Sequence, residues 1–381
     1  MKHLRITALV AACMGLLLLS LGAQAQNTIR IGLSGSFSGP AAAASEWEKW
    51  GVDQAVEEIN AAGGLLGKKL ELVAVDNRCN PTEGANTARK LVQDKVSAII
   101  GGHCSSATLA MMPILQEAKI PMITGVSSSP KITELSGAGG DPYMFRISPD
   151  DLRMAQGMTE YLGQKKLFKN VVIVAEDSDF GRGGAAAFTP LAQKAGMTIM
   201  STDYVPQMTP DFTPLLTRVA QRKPDAIALF MLGADSMNLA RTALQMGVNI
   251  PFTGRAELAG KSLEVIQAGG MAGSVSAWTY SPDIDNPANK KFAAAMVAKH
   301  KLTATLQNWG GYDCMQAIAQ SIRDANSDDP VKIRDAMAKV KWTGLHGKPM
   351  SFDANNQAGR VVVLLQVKDK GVQLLDTYEL K

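Results

Sequence analysis

SAIIGGHCSSATLAMMPILQEAKIPMITGVSSSP, residues 97–130, holds two short apolar runs, each followed by small polar residues. Residues 98–100 and 120–123 are the continuous apolar runs expected of strands that are buried on both faces of a parallel sheet. Leu109 and Met112 lie between the two runs at helical spacing. The order strand, helix, strand is typical of α/β proteins, which bind small ligands at the carboxyl ends of their parallel strands.

The polar residues that follow the two strands form one candidate binding cluster. Ser105 and Ser106 stand at the start of the intervening helix, and Ser127 and Ser128 follow the second strand. A helix N-terminus presents unpaired N–H groups and about half a positive charge, so it favours an anionic group such as a carboxylate. Ser105, Ser106 or Thr108 could instead only cap the helix. Because two such clusters occur at consecutive strand ends, we interpret them as half of a binding pocket.

Strands and helices continue to alternate on both sides of this segment. The pattern predicts two successive βα arrays that meet near residues 148–150, and each array can build a parallel sheet of its own. After the second array the sequence predicts helices at residues 289–300, 311–325 and 330–339 and a final hairpin of residues 361–367 and 372–378.

Residues 1–25 have the features of a cleavable export signal. Lys2 and Arg5 precede an apolar run, and residues 23–25, Ala-Gln-Ala, have the small-x-small pattern that signal peptidase cleaves. Lipidation of Cys13 is the alternative, because residues 10–13 resemble a lipoprotein box. The apolar run before Cys13 is very short, so we expect a periplasmic protein secreted through its cleaved signal peptide. No later stretch reaches the ~18 uninterrupted apolar residues of a membrane span.

Length and charge limit the classes of partner. Without its signal the 381-residue chain is still about two domains long. The formal charge is +4, and two of these charges are Lys2 and Arg5 of the signal. Lys and Arg are scattered among acidic residues, whereas a nucleic-acid or anionic-membrane partner requires a basic stripe. We therefore expect no nucleic-acid partner and no direct binding to an anionic membrane surface.

The sequence also contains no recognisable catalytic constellation. Residues 63–69, GGLLGKK, resemble a phosphate loop, but they run from helix to strand and end in lysine where that loop has serine or threonine. The pattern G-x-S-x-G is absent, and His103, His300 and His346 lie in unrelated contexts. We expect a protein that is not an enzyme and has no cofactor and no metal.

Cys79, Cys104 and Cys314 are the cysteines that remain after the signal is removed. Cys79 and Cys104 each follow a predicted strand, and neighbouring strand ends can bring them within bonding range. A bridge between them would close a loop of about 25 residues and stabilise the fold by about 3 kcal/mol in an oxidising compartment. A metal site is disfavoured because no C-x-x-C pair is present. Cys314 is interpreted as a core thiol.

The chain resembles the branched-chain amino acid-binding proteins of bacterial ABC transporters, the leucine/isoleucine/valine-binding type. Five segments carry the resemblance in this order: IRIGLSGSFSGP (29–40), GVDQAVEEINAAGGLLGKKLELVAVDNRCNP (51–81), IIGGHCSSAT (99–108), PMITGVSSSPKIT (121–133) and FDANNQAGRVVVLLQV (352–367). Together they cover essentially the whole mature chain. The resemblance implies the type I periplasmic binding fold, a monomer, and ABC transporter permease subunits as partners.

The implied architecture is α/β, with two doubly wound parallel-sheet lobes joined by a three-crossing hinge. Residues 26–146 plus 277–352 would form lobe 1, and residues 147–276 plus 353–381 would form lobe 2. The ligand would be captured in the cleft between the lobes by hinge closure.

The same resemblance implies roles for individual residues. It implies a disulfide between Cys79 and Cys104, and it assigns to Ser105 the hydroxyl that binds the ligand carboxylate. The second turn, which binds carboxylate and amine, corresponds to Val126, Ser127 and Ser128. These positions agree with the pocket inferred from the two serine clusters.

The half of the site that would recognise the ligand side chain departs from the family pattern. One family aromatic falls on Ala44, with Trp47 nearby, and one tyrosine is replaced by Phe180. A second tyrosine falls near Leu232. We expect Trp47 and Phe180 to contact the ligand, with ordinary packing within a lobe as the alternative.

The acid that pairs with the ligand ammonium in this family falls on Ala256, one residue before Glu257. Either Glu257 performs this pairing, or the pocket receives an acid without an ammonium. The leading hypothesis is a binder of a branched-chain or other apolar amino acid for an ABC importer, and the alternative is a binder of an aromatic or short-chain carboxylate. An exported sensor-type binder and an exported enzyme are the hypotheses from other classes, and neighbouring permease and ATPase genes would separate transporter from sensor.

Overall fold

The computed structural model describes residues 28–380, so the predicted export signal and Cys13 lie outside the described residues. Five parallel strands form one sheet in the order β2-β1-β3-β4-β5. Their bounds are β1 (Thr28–Gly35), β2 (Lys69–Asp76), β3 (Ala98–Gly101), β4 (Met122–Thr124) and β5 (Met144–Arg146). The helices between them are α1 (Ala42–Ala61), α2 (Pro81–Gln93), α3 (Ser105–Ala118) and α4 (Pro130–Glu134). We call the unit built on this sheet the first lobe.

Four parallel strands form a second sheet in the order β7-β6-β8-β9. The strands are β6 (Asn170–Glu176), β7 (Thr198–Val205), β8 (Ala226–Phe230) and β9 (Phe252–Gly254). The accompanying helices are α5 (Asp151–Lys165), α6 (Asp179–Lys194), α7 (Thr213–Arg222), α8 (Gly233–Gln245) and α9 (Ser262–Gln267). We call this unit the second lobe. The two predicted βα arrays are therefore confirmed as two parallel sheets.

The last third of the chain contributes helices and strands to both lobes. It contains β10 (Val275–Trp278), α10 (Pro287–His300), α11 (Leu306–Ala325), α12 (Pro330–Met337), β11 (Trp342–Thr343), β12 (Pro349–Met350), β13 (Val361–Lys368) and β14 (Gly371–Glu379). Helix α11 packs on α1 of the first lobe, whereas β10 and β13 pack on α5 of the second lobe. The predicted hairpin is confirmed as β13 and β14, which pair in antiparallel fashion.

The buried segments show why the alternation was visible in the sequence. Every residue of β3 and β4 is buried, as the continuous apolar runs predicted. The largest boundary difference is at α11, which begins five residues before the predicted start at residue 311. A capping box explains the earlier start: Oδ1 of Asn308 accepts from the backbone N–H of Thr305 at 2.9 Å and from the Thr305 hydroxyl at 3.0 Å.

The segments that connect the two lobes lie side by side. The backbone of Arg146, at the end of β5, pairs with that of Gln357, which precedes β13. The Arg146 guanidinium is buried and donates from Nε to Oε1 of Gln357 at 2.7 Å. The proposed crossing points and lobe boundaries stay a prediction. Within residues 28–380, no helix combines the length and apolarity needed to cross a membrane.

Candidate functional site

A cavity of about 70 Å³ lies between the carboxyl ends of the two parallel sheets. One buried water needs only about 10–15 Å³, so the space suits a small molecule. The walls come from the turns after β3 and β4 in the first lobe and from the ends of β6, β8 and β9 in the second. Seven of the predicted residues line it: Ser105, Ser106, Val126, Ser127, Ser128, Phe180 and Glu257.

The start of α3 forms the anion-favouring part of the first-lobe wall. The helix begins at Ser105 with Cys104 as its N-cap, and among the described residues no side chain caps it. The alternative that Ser105, Ser106 or Thr108 caps this helix is therefore not what the structure shows. The Thr108 hydroxyl instead accepts from the backbone N–H of Gly102 at 3.2 Å, because it points back toward β3. The first-turn N–H groups are thus available to an anion in the cavity.

The two serine clusters lie against each other, as their positions after adjacent strands predicted. The Ser105 hydroxyl oxygen accepts from the backbone N–H of Ser129 at 3.2 Å, which leaves its own proton free to be donated. The Ser127 hydroxyl donates to the carbonyl of His103 at 2.9 Å, so it mainly fixes the turn.

Ser128 connects the first-lobe wall to the second lobe. Its hydroxyl donates to Oδ2 of Asp151 at 3.0 Å, and Asp151 lies in the first turn of α5. Asp151 is fully buried, and its Oδ1 lies 3.7 Å from Nε of Arg255. Burial raises the pKa of Asp151 to about 7, and the Arg255 charge and the Ser128 hydrogen bond act against that rise. The Ser128 hydroxyl proton is therefore occupied by Asp151, so Ser128 offers a ligand its backbone N–H as a donor and its hydroxyl oxygen as an acceptor, whereas Ser105 can donate its hydroxyl proton.

A disulfide fixes the backbone at the start of α3. Cys79 and Cys104 are joined with a Cα–Cα distance of 5.3 Å, which confirms the pairing that the resemblance implied. Cys104 immediately precedes Ser105, so the bridge ties the start of α3 to the turn after β2. In the described part of the chain, Cys314 is unpaired and buried.

His103 is a cavity residue that the sequence analysis did not single out. Its Nδ1 lies 2.7 Å from Oε2 of Glu48 on α1, and both side chains are buried. The pair fixes the imidazole at the wall beside Cys104. Its position one residue before Cys104, after a predicted strand, was the signal that could have found it.

Glu176 is the second residue that sequence reasoning missed. It ends β6, is 1% exposed and lines the cavity. Its carboxylate accepts from the Ser178 hydroxyl at 2.5 Å, from Nε2 of Gln207 at 3.1 Å and from the backbone N–H of Leu232 at 3.0 Å. Burial raises the pKa of Glu176, and these hydrogen bonds oppose the rise. The carboxylate thereby holds three turns of the second lobe together.

Glu257 also lies in the second-lobe wall, after β9. Its Oε1 accepts from the backbone N–H of Ala259 at 3.1 Å, and the neighbouring Ala256 is fully buried. Burial raises the pKa of Glu257 to about 7. The Ala259 hydrogen bond, the charge of Arg255 and a hydrogen bond from the Gln307 side chain oppose that rise. A carboxylate at this position can pair with a cationic group inside the cavity.

The aromatic positions divide between two cavities. Phe180, in the first turn of α6, lines the small cavity together with Ala44 and Leu232. Trp47 lies outside this set and lines a neighbouring cavity of about 290 Å³. Trp278 lines both, and its Nε1 donates to the carbonyl of Ala256 at 3.2 Å.

Trp47 contacts the second lobe directly. A Cβ atom placed on Gly260 would lie 2.3 Å from the Trp47 ring, so only glycine allows this approach. Trp47 belongs to α1 of the first lobe and Gly260 to the loop between β9 and α9 of the second. The contact therefore spans the cleft between the lobes.

Comparison with known proteins agrees with this architecture. A Leu/Ile/Val-binding protein from Citrobacter freundii is 28% identical over 348 residues, which cover 91% of this chain and 92% of that protein. The crystal structure of a leucine-binding protein from Thermotoga maritima is 27% identical, with a TM-score of 0.82, over 92% of this chain and 99% of that one.

A second similar structure holds an aromatic carboxylate. It is a solute-binding protein of an ABC transporter from R. palustris in complex with 4-hydroxybenzoate. It is 25% identical with a TM-score of 0.81, and it covers 92% of this chain and 97% of that one. The sequence matches the family described as periplasmic binding protein over residues 28–372. The chain therefore belongs to the periplasmic binding protein family.

Proposed function

We propose that this protein is the periplasmic solute-binding component of an ABC importer and captures a branched-chain or other apolar α-amino acid. The observation that carries the proposal is the placement of Glu257 in the same small cavity as Ser105 and the start of α3. The first-lobe wall offers N–H groups and a hydroxyl proton to a carboxylate. The second-lobe wall offers a carboxylate to an ammonium. An α-amino acid carries both of these charges on one carbon atom.

The balance of charges supports a zwitterionic ligand. An isolated buried charge costs several kcal/mol, so a ligand ammonium inside a closed cleft requires a carboxylate partner. Arg255, a cationic residue of the wall, already faces Asp151, and the His103 ring is already paired with Glu48. Glu257 then remains for the ligand. The relatives with leucine, isoleucine and valine in their names support the same ligand class.

Ligand capture would occur by hinge closure. The walls of the cavity come from both lobes, so a ligand that contacts both stabilises the closed form. The contact between Trp47 and Gly260 spans the same cleft and would form on closure. The bound protein would then deliver its ligand to permease subunits of the transporter. It would act as a monomer and catalyse no reaction of its own.

An aromatic carboxylate is the second candidate ligand. Phe180 lines the cavity and presents an aromatic ring to the ligand, which favours stacking with an aryl group. The similar protein that binds 4-hydroxybenzoate supports this candidate. Such a ligand would use the first-lobe wall in the same way and would leave Glu257 without a cationic partner.

A direct binding screen separates the two candidates. Thermal-shift measurements with leucine, isoleucine, valine, 4-methylpentanoate and 4-hydroxybenzoate are followed by calorimetry on each ligand that raises the melting temperature. We expect leucine to bind more tightly than 4-methylpentanoate, which is the same molecule without the ammonium. Binding of 4-hydroxybenzoate together with failure of every amino acid would overturn the proposal in favour of the second candidate.

A further inference from the structure

Gln307 is a residue of the cavity wall whose side-chain amide has an incomplete set of hydrogen-bond partners. It is the second residue of α11, is 6% exposed and lines the small cavity. Within residues 28–380, its Oε1 atom is buried and has no hydrogen-bond partner. Neither the serine clusters nor the resemblance assigned a role to this residue.

The next residue, Asn308, shows that a side-chain amide at the start of α11 can have partners for both of its polar atoms. Oδ1 of Asn308 accepts from the backbone N–H of Thr305 at 2.9 Å, and Nδ2 of Asn308 donates to the carbonyl of Trp47 at 2.6 Å. Both polar atoms of the Asn308 amide thus have partners, and the side chain stabilises the fold. A buried acceptor without a partner costs about 1–3 kcal/mol, so the Gln307 oxygen needs a donor from elsewhere.

The position of the amide indicates which donor fits. Gln307 and Glu257 both line the small cavity, and the Gln307 side chain acts to lower the pKa of the Glu257 carboxyl, so the two side chains are neighbours in the wall. An amide that donates through nitrogen to a carboxylate keeps its oxygen as an acceptor. A ligand ammonium has three N–H donors, and each requires an acceptor in a dry cavity. Glu257 alone does not supply three separated acceptors.

We infer that Oε1 of Gln307 accepts a hydrogen bond from the ligand ammonium and completes, with Glu257, the acceptor set for that group. This inference rests on the proposed function, because it needs a ligand that has an ammonium. Gln307 belongs to α11, which packs on the first lobe, and Glu257 belongs to the second lobe. An ammonium held by both residues therefore joins the two lobes.

The test compares two ligands on two matched variants. Gln307→Met keeps the length of the side chain and removes the acceptor, and Gln320→Met is the control on the same helix. Gln320 bonds only to Asp324, one turn away, among the described residues. We expect Gln307→Met to weaken leucine binding by about tenfold to a hundredfold in calorimetry, the range for one hydrogen bond to a charged group. Binding of 4-methylpentanoate should stay within about twofold, and Gln320→Met should leave both ligands unchanged.

A second variant keeps the inference testable if Gln307→Met does not fold. Gln307→Glu retains an acceptor for the ammonium, so we expect it to bind leucine at least as well, relative to 4-methylpentanoate, as the unmodified protein does. Equal leucine affinity in Gln307→Met, or equal losses for both ligands, would overturn the role of Gln307 while the proposed function stands. Failure of the unmodified protein to bind any amino acid would overturn the proposed function, and the inference with it.

Discussion

The two walls of the cavity are built on different chemical principles. The first-lobe wall consists of N–H groups and hydroxyls, and the disulfide between Cys79 and Cys104 fixes its backbone. The second-lobe wall carries the buried carboxylates Glu176 and Glu257. Backbone donors at a helix start suit any carboxylate, whereas buried carboxylates suit only particular cationic or donor groups. In the proposed function, the first lobe would therefore recognise what all candidate ligands share, and the second lobe would distinguish among them.

The largest loss of ligand affinity is expected from a change in the second-lobe wall. If the ligand is an amino acid, Glu257→Gln should weaken its binding by at least about 2 kcal/mol, or about thirtyfold, because the ligand ammonium loses its buried partner. Calorimetry with leucine measures the change, and Glu264→Gln on the exposed side of α9 is the control. Binding of 4-methylpentanoate should change little. Tight leucine binding that survives Glu257→Gln would remove Glu257 from the site.

The corresponding change in the first-lobe wall should affect every ligand. Ser105→Ala removes a hydroxyl that is free to donate to the ligand carboxylate, a hydrogen bond worth about 1.5–3 kcal/mol, or about tenfold to more than a hundredfold in affinity. Leucine and 4-methylpentanoate should lose affinity equally. The free protein should still fold, with a somewhat lower melting temperature, because the buried backbone N–H of Ser129 loses its acceptor. Unchanged affinity for both ligands would show that Ser105 only supports the turn at Ser129.

The pH dependence of ligand binding should also arise from a residue of the second-lobe wall. Burial raises the pKa of Glu257 to about 7, so below that pH the carboxyl is mostly protonated and must lose its proton before it can pair with an ammonium. Between pH 8 and pH 6 the dissociation constant for leucine should therefore rise about tenfold.

The groups around Glu257 define the control for this measurement. Glu176, Arg255, Asp151 and His103 lie in or next to the same walls, and the raised pKa of Asp151, also about 7, makes it the main competitor. The Glu257→Gln variant separates them, because its binding should be nearly independent of pH over this range. A full pH dependence in that variant would assign the effect to another of these groups.

The smallest expected effect concerns the contact that spans the cleft. Trp47→Ala removes apolar contact with Gly260 but no group that touches the small cavity, so leucine binding should weaken only several-fold.

Small-angle scattering should show that leucine compacts the unmodified protein, as hinge closure requires. Identical dimensions with and without saturating leucine, from an open free form, would contradict closure.

Local patterns explain what the sequence could predict. The strands of both sheets are short apolar runs, and the serine clusters directly follow two of them, so spacing alone brings Ser105 near Ser129. Glu176 ends one buried strand and Arg255 follows another, and the same rule applied to charged residues would have found them. The capping box at Thr305 was present in the sequence and was overlooked.

The remaining features depend on packing that spacing does not encode. Trp47 was expected at the ligand, but Ala44, one helical turn earlier on α1, holds the place in the cavity wall. The Trp47 ring reaches Gly260 only because the loop after β9 comes from the other lobe. Gln307 could not be identified either, because its unpaired oxygen is visible only once Glu257 and α11 are placed together.

The position of Trp47 gives the protein a natural optical signal. An indole at a boundary that opens and closes alternates between water and an apolar contact, and its fluorescence maximum shifts to shorter wavelength when water leaves. Trp309, which is fully buried in the core, keeps constant surroundings and contributes a steady background. Trp278 lines both cavities and also responds, so the difference between the unmodified protein and a Trp47→Phe variant isolates the Trp47 signal. Opening and closing of the cleft can then be followed in real time on the unlabelled protein.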